Sequence, residues 1–197
     1  MNRSDVKELY YITPIANVLS IMHYGILSHN LSMKLPHRSV AMQEIQDRRR
    51  NKRVPGTKRK LHDYANLYFD AHNPMLCKRR DQNVEICVLR INAEVIDLRD
   101  IIIADRNASS DYVRFYPVVK GLAAIEKNKL FARYWTHPEN VFDEWAHKSI
   151  KCAEVLVPDK VEPLYLLGAY VANQAALIAI EKLGAGLTIR IENDIFF

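Results

Sequence analysis

The chain has 197 residues, 49% of them hydrophobic and 26% charged, which suits a single domain, 1–197, with a sizeable core and disfavours disordered, collagenous and membrane classes. No run approaches the roughly 18 apolar residues that span a bilayer, and Met1-Asn2-Arg3-Ser4-Asp5 is not followed by a signal-peptide core, so a cytoplasmic monomer without membrane attachment is expected. The net charge of +5 is uneven, because residues 34–60 carry ten Lys and Arg against Glu44 and Asp47 and leave the rest of the chain at −3; a basic patch confined to one segment points to a polyanion, with nucleic acid the leading partner.

Residues 8–13 read as a strand, and Thr13-Pro14 reads as an N-cap with proline at the first helical position. The helix expected next carries Ile15, Val18, Leu19 and Met22 at helical spacing and stops at Gly25. A second helix is expected from Ser39 to Arg53, and its end, Arg48-Arg49-Arg50, holds more positive charge than the helix dipole requires. That excess suggests a ligand. Turns are expected at Val54-Pro55-Gly56 and Asn73-Pro74, on either side of an aromatic-rich stretch, Leu61–Phe69. Val84–Ile91 is the clearest interior strand, followed by strands at Val95–Asp97 and Ile101–Ile103.

Ala104–Tyr112 is a polar loop, with Ser109 or Asp111 placed to cap a weak helix running toward Gly121. A further helix contains Val141, Phe142 and Trp145 and delivers the chain to Lys151–Val157, an apolar run with Glu154 at its centre. Alternation there puts Cys152, Glu154 and Leu156 on one strand face. A glutamate among β-branched residues needs a partner, a ligand or a catalytic task unless it lies on a solvated edge. A strand at Pro163–Val171, a helix at Ala172–Lys182, a stop at Gly184 or Gly186 and a last strand at Leu187–Glu192 complete an α+β pattern with a mixed, mostly antiparallel sheet flanked by helices.

Glycine-rich phosphate loops and His-Glu-x-x-His are absent, and seven scattered histidines with Cys77, Cys87 and Cys152 lack metal-ligand spacing, so neither metal nor disulfide is expected. Four separated pieces nevertheless occur in a telling order: Tyr10-Tyr11-Ile12-Thr13 with Asn17 and Gly25; Ile45-Gln46-Asp47-Arg48-Arg49 leading to Val54-Pro55; Leu61-His62-Asp63-Tyr64 through Tyr68-Phe69 to Pro74-Met75-Leu76; and Ala153-Glu154-Val155-Leu156-Val157. Together they resemble the DarT family of DNA ADP-ribosyltransferase toxins, with the ADP-ribosyltransferase fold, and the resemblance runs through almost the entire chain. Two departures stand out: Tyr11 occupies the histidine place of a Tyr-His-Ile-Thr pattern, and Ala65-Asn66-Leu67 stands where the family more often has Val-Pro-Phe.

The resemblance implies an NAD-dependent enzyme that modifies a thymine or guanine base in single-stranded DNA. It further implies a toxin role, with an antitoxin that is an ADP-ribosyl hydrolase. Glu154 would be the catalytic glutamate and Arg49 its partner, while Tyr11, Ile12, Thr13, Ser20, Leu27 and Arg49 would contact NAD. Residues from about Leu31 to Arg50 would form an NAD-binding element, and those from about Asp105 to Lys151 a substrate-reading loop. Arg48, Arg50, Lys52 and Arg53 are candidates for nucleic-acid contacts. The residues alone also fit an enzyme whose acceptor is RNA or protein, or a non-catalytic nucleic-acid-binding module.

Overall fold

The computed structural model describes residues 1–197. Its elements are β1 (Glu8–Pro14), α1 (Val18–Tyr24), β2 (Ile26–Leu27), α2 (His29–Ser32), α3 (Gln43–Asn51), β3 (Tyr64–Tyr68), α4 (Pro74–Cys77), β4 (Ile86–Asn92), β5 (Ile102–Ala104), β6 (Phe115–Pro117), α5 (Val118–Ala124), α6 (Lys127–Leu130), α7 (Val141–Lys151), β7 (Glu154–Pro158), β8 (Lys160–Val161), β9 (Leu166–Val171), α8 (Gln174–Glu181) and β10 (Ile189–Ile191). Eight strands form one sheet in the order β10-β9-β4-β1-β3-β7-β5-β6, and β2 pairs with β8 separately. Every pairing is antiparallel except β10 with β9. This is the expected α+β architecture. No helix is long and apolar enough to cross a membrane.

Strand alternation sorts the core onto two faces. Leu9, Leu67, Leu89, Ile91 and Val155 join the main buried cluster together with Val18 and Ile21 of α1 and Ala176 and Ile180 of α8. Ile12, Tyr68, Val88 and Cys152 form a second cluster, and Tyr64, Leu156, Ala104 and Ala108 a third. At about 25 cal/mol per Å² of apolar area, the main cluster is the largest hydrophobic contribution to stability. It also makes the rigid base under the other face.

Several expected boundaries move, each for a local reason. Thr13 and Pro14 stay in β1, paired to Cys87 and Ile86, so the cap falls at Pro14, and a 3-10 turn over Ile15–Asn17 precedes α1. Gly25 does end that helix, with φ of +85° and its N–H bonded to the Ile21 carbonyl. The second helix shrinks to Gln43–Asn51, entered from extended Met42 without a side-chain cap. Val95–Asp97 is a 3-10 turn rather than a strand, because Asn92 accepts the Glu94 N–H and starts a turn there. The weak helix expected near Ser109 is instead β6 followed by α5, which begins after Pro117. Cys152 caps α7 and is not part of the strand, so β7 starts at Glu154 itself.

Helix α5 packs on β5 through Gly121, where an added Cβ would clash with the Ile103 side chain, itself fully buried. Overpacking of this kind costs roughly 1–3 kcal/mol. Gly121→Ala is therefore expected to lower unfolding free energy by about that amount in a denaturant titration, with the slope unchanged.

Candidate active site

The sheet is forked. Strand β1 pairs with β4 along its whole length, from Glu8↔Asn92 to Pro14↔Ile86, but with β3 only at Tyr10↔Tyr68. Beyond that point the two halves of the sheet separate. A cavity of about 1280 Å³ is lined by Tyr11, Ile12 and Thr13 from one arm of the fork and by Tyr64, Asn66 and Tyr68 from the other. The volume exceeds what a dinucleotide-sized ligand needs.

Glu154 lies in this cavity beside the apex of the fork, directly opposite Tyr68 on β3 and Ala104 on β5. It is 1% exposed, and a buried carboxylate is tolerated only when donors replace its lost water. Arg49 supplies one such donor from α3, its Nη1 lying 3.0 Å from both Oε1 and Oε2. The Ala108 backbone N–H supplies the other, donating to Oε1 over 2.9 Å. No other guanidinium nitrogen of Arg49 has an acceptor in the protein, so the rest of the fork is available to a ligand.

Arg49 is the single buried residue of α3. Its neighbours turn outward: Arg48 bonds Glu44 at 3.0 Å and Arg50 lies 3.4 Å from Asp47, both exposed pairs one turn back along the helix. The cationic helix end thus divides its work by facing. Arg48 borders the cavity, as do Ser20 of α1, Leu27 of β2 and Leu35, Arg38 and Met42 of the segment before α3. Arg50 and Arg53 are exposed and lie outside it. Lys52 is also outside it, half-buried and donating to the Ser110 carbonyl.

Ser110 belongs to the polar loop between β5 and β6, which presents the Ala108 amide. Asp105 accepts the Arg114 N–H at 3.0 Å, Asn107 accepts both the Ser109 N–H and hydroxyl, and the Asn107 N–H donates to Ser149 at the end of α7. Short polar side chains close the loop on itself and leave one main-chain donor aimed at the carboxylate. Sequence reasoning missed Ala108, since a backbone donor carries no side-chain signature; the polar Asn-Ala-Ser-Ser run was the available clue. Tyr68 was also given no role. Its hydroxyl finds no protein partner, and burial together with the Glu154 charge holds its pKa well above the ordinary tyrosine value, so it remains a donor. Burial raises Tyr11 as well.

Behind Arg49, the rings of His29 and His62 lie 4.0 Å apart. Burial, then the neighbouring His29, Arg49 and Arg50, push His62 down to about 4, and burial with His37 and the same arginines lowers His29. A histidine with a depressed folded pKa binds fewer protons folded than unfolded, so its contribution is present above the unfolded value of about 6.5 and is lost as pH falls toward 4. The thermal midpoint should drop across that window, and His62→Gln should flatten the drop. No three His, Cys, Asp or Glu side chains converge as a metal would require.

A family model described as "ssDNA thymidine ADP-ribosyltransferase, DarT" matches residues 10–197. The chain belongs to the DarT family. It is 31% identical over 185 residues to a DNA ADP-ribosyl transferase–DNA ADP-ribosyl glycohydrolase fusion protein of Thermosipho africanus, covering 89% of the chain and 45% of that relative. A DNA ADP-ribosyl transferase of a Thermus species is 30% identical over 167 residues, covering 78% and 75%. Among solved structures, Thermosipho africanus DarTG in complex with ADP-ribose superposes with a TM-score of 0.84 at 28% identity, covering 97% of the chain and 51% of that protein. Thermus DarT in complex with ADP-ribosylated single-stranded DNA gives 0.81 at 24% identity, covering 100% and 99%, a likeness of fold. The chain spans about half the length of the Thermosipho fusion protein.

Proposed function

We propose that the chain transfers ADP-ribose from NAD to a thymine base in single-stranded DNA, with guanine the second candidate. The observation that carries the reading is the buried Glu154 carboxylate in the forked sheet, held by Arg49 and the Ala108 amide beside a dinucleotide-sized cavity. The family description and the relatives' DNA ADP-ribosyl transferase names support the acceptor. Thermus DarT has been seen with NAD+ as well as with ADP-ribosylated DNA.

NAD supplies a neutral leaving group, nicotinamide, on a sugar carbon that passes through an oxocarbenium-like state. The glycosidic C–N pair leaves with nicotinamide, and a ring nitrogen of the base forms the new C–N bond and gives up its proton to solvent water. Glu154 meets the positive sugar with a fixed negative charge and accepts from a ribose hydroxyl. Arg49 uses its free nitrogens to clamp pyrophosphate or polarise the base. Tyr11, Ile12 and Thr13 face the nicotinamide side, with Ser20 and Leu27 farther along the same wall. An unpaired strand is required because the ring nitrogen is hidden in a duplex and extracting a base costs a few kcal/mol.

The Thermosipho relative carries a DNA ADP-ribosyl glycohydrolase in the same protein. A toxin role for this chain, with an ADP-ribosyl hydrolase reversing its mark, is consistent with that pairing. Residues 1–197 would act as one catalytic domain and as a monomer. Homopolymeric DNA oligonucleotides, with an RNA member, should be incubated with NAD and weighed by mass spectrometry. Adduct on the thymine oligonucleotide alone is the expected result; adduct on RNA alone would assign a different acceptor. The basic segment 34–60 makes DNA engagement electrostatic, so the oligonucleotide KM should rise by an order of magnitude or more between about 50 and 200 mM salt.

A further inference from the structure

Helix α7 is built inside out. Val141, Phe142 and Trp145 are 56%, 76% and 61% exposed, while His147, Ile150 and Lys151 are buried. The arrangement is fixed by specific polar contacts. His147 donates its Nε2–H to the Lys129 carbonyl at 2.9 Å and pairs through Nδ1 with His137 Nε2 at 2.8 Å, and Lys151 pairs with Asp70 and donates to the Ala132 carbonyl. Burying a histidine and a lysine to turn two aromatics outward is unfavourable unless the aromatics have a use there. Phe142 and Trp145 sit at i and i+3 with ring centroids 5.8 Å apart, and both line the cavity mouth, as does Tyr112 of the polar loop, 81% exposed. A single exposed aromatic is ordinary, whereas a cluster at a cavity mouth marks an interaction site.

We infer that Phe142 and Trp145, with Tyr112, form a stacking platform for the bases that flank the target nucleotide in a single strand of DNA. The inference rests on the proposed DNA-modifying reaction. Charge selects the occupant, because seven Lys and Arg side chains line the same cavity against three carboxylates, Asp105, Asp111 and Glu154. A cationic wall with exposed π faces fits a polyanion whose bases are unpaired. Position selects the nucleotides: Phe142 and Trp145 are exposed at the rim of the cavity whose buried part holds Glu154, so a strand with its reacting base at the carboxylate passes the platform with that base's neighbours. Stacking is tolerant of sequence, so the platform sets affinity and reach more than base identity.

Trp145 is the exposed member of the two tryptophans, and its emission reports the contact directly. A thymine oligonucleotide without NAD should quench wild-type emission, and the quench should vanish in Trp145→Phe, which retains binding. Phe142→Ala and Trp145→Ala should each raise the oligonucleotide KM about tenfold, with kcat at saturating DNA largely retained, and Trp145→Phe should restore most of the loss. An oligonucleotide with abasic flanks should bind wild type about tenfold more weakly and lose nothing further in Trp145→Ala. Emission that does not move at saturating oligonucleotide, or KM values within about twofold of wild type in both alanine variants, would overturn the platform. Quenching by NAD alone to the same extent would also overturn it, by assigning the rings to the dinucleotide. DNA binding with the quench but no transfer would leave the platform standing and remove the reaction; transfer with no quench would do the reverse.

Discussion

Glu154→Gln should lower the rate of ADP-ribosyl transfer by about 10²–10³-fold at saturating NAD and DNA, the usual size of losing one preorganised electrostatic group. Glutamine keeps the volume and one acceptor oxygen, so the bonds from Arg49 and the Ala108 amide to Oε1 survive while the second Arg49 contact, to Oε2, is lost, and the fold is retained. What disappears is the negative charge, which matters most when the sugar carbon is positive. The loss should therefore fall on kcat, with the KM for NAD changed only a few-fold. Single-turnover nicotinamide release measures it; a KM effect with normal kcat would make Glu154 a ground-state binding residue instead.

Arg49→Ala should cost both stability and activity. It leaves a carboxylate buried with the Ala108 amide as its one remaining donor, and uncompensating a buried ion pair in this way costs about 3–5 kcal/mol. The double variant Arg49→Ala/Glu154→Gln should recover most of that stability, because no charge is then stranded, while recovering no activity. A positive coupling energy in that cycle, read from denaturant midpoints, separates the two roles of Arg49. Arg49→Lys should keep charge and much of the stability but remain poorly active, since a point ammonium cannot hold Glu154 and offer a second planar donor pair at once.

The strand that carries Glu154 was legible in the sequence because an apolar run around one carboxylate has few stable readings, and Glu154 is where β7 begins. The cationic helix was legible as a site, but periodicity could not say which of Arg48, Arg49 and Arg50 faces inward. That facing depends on Glu44 and Asp47 holding the outer two. The Leu61–Phe69 stretch resisted assignment because aromatic residues stand on both of its faces and mask the alternation: Tyr64, Asn66 and Tyr68 line the cavity, while Ala65, Leu67 and Phe69 join the core. The fork itself left no local signal. Its apex is a single pairing between residues 58 positions apart, Tyr10 and Tyr68. The facing of helix α7 was not legible either, since His147 and Lys151 are buried by partners in distant segments.

The most direct test is to mix the chain with NAD and a single-stranded thymine oligonucleotide and follow both products by mass. One ADP-ribose should appear on DNA for each nicotinamide released, with the duplex inert and Glu154→Gln slower by about 10²–10³-fold. NAD consumed with the oligonucleotide unmodified, or adduct formed equally by Glu154→Gln, would contradict the assignment of this cavity and this carboxylate to DNA ADP-ribosylation.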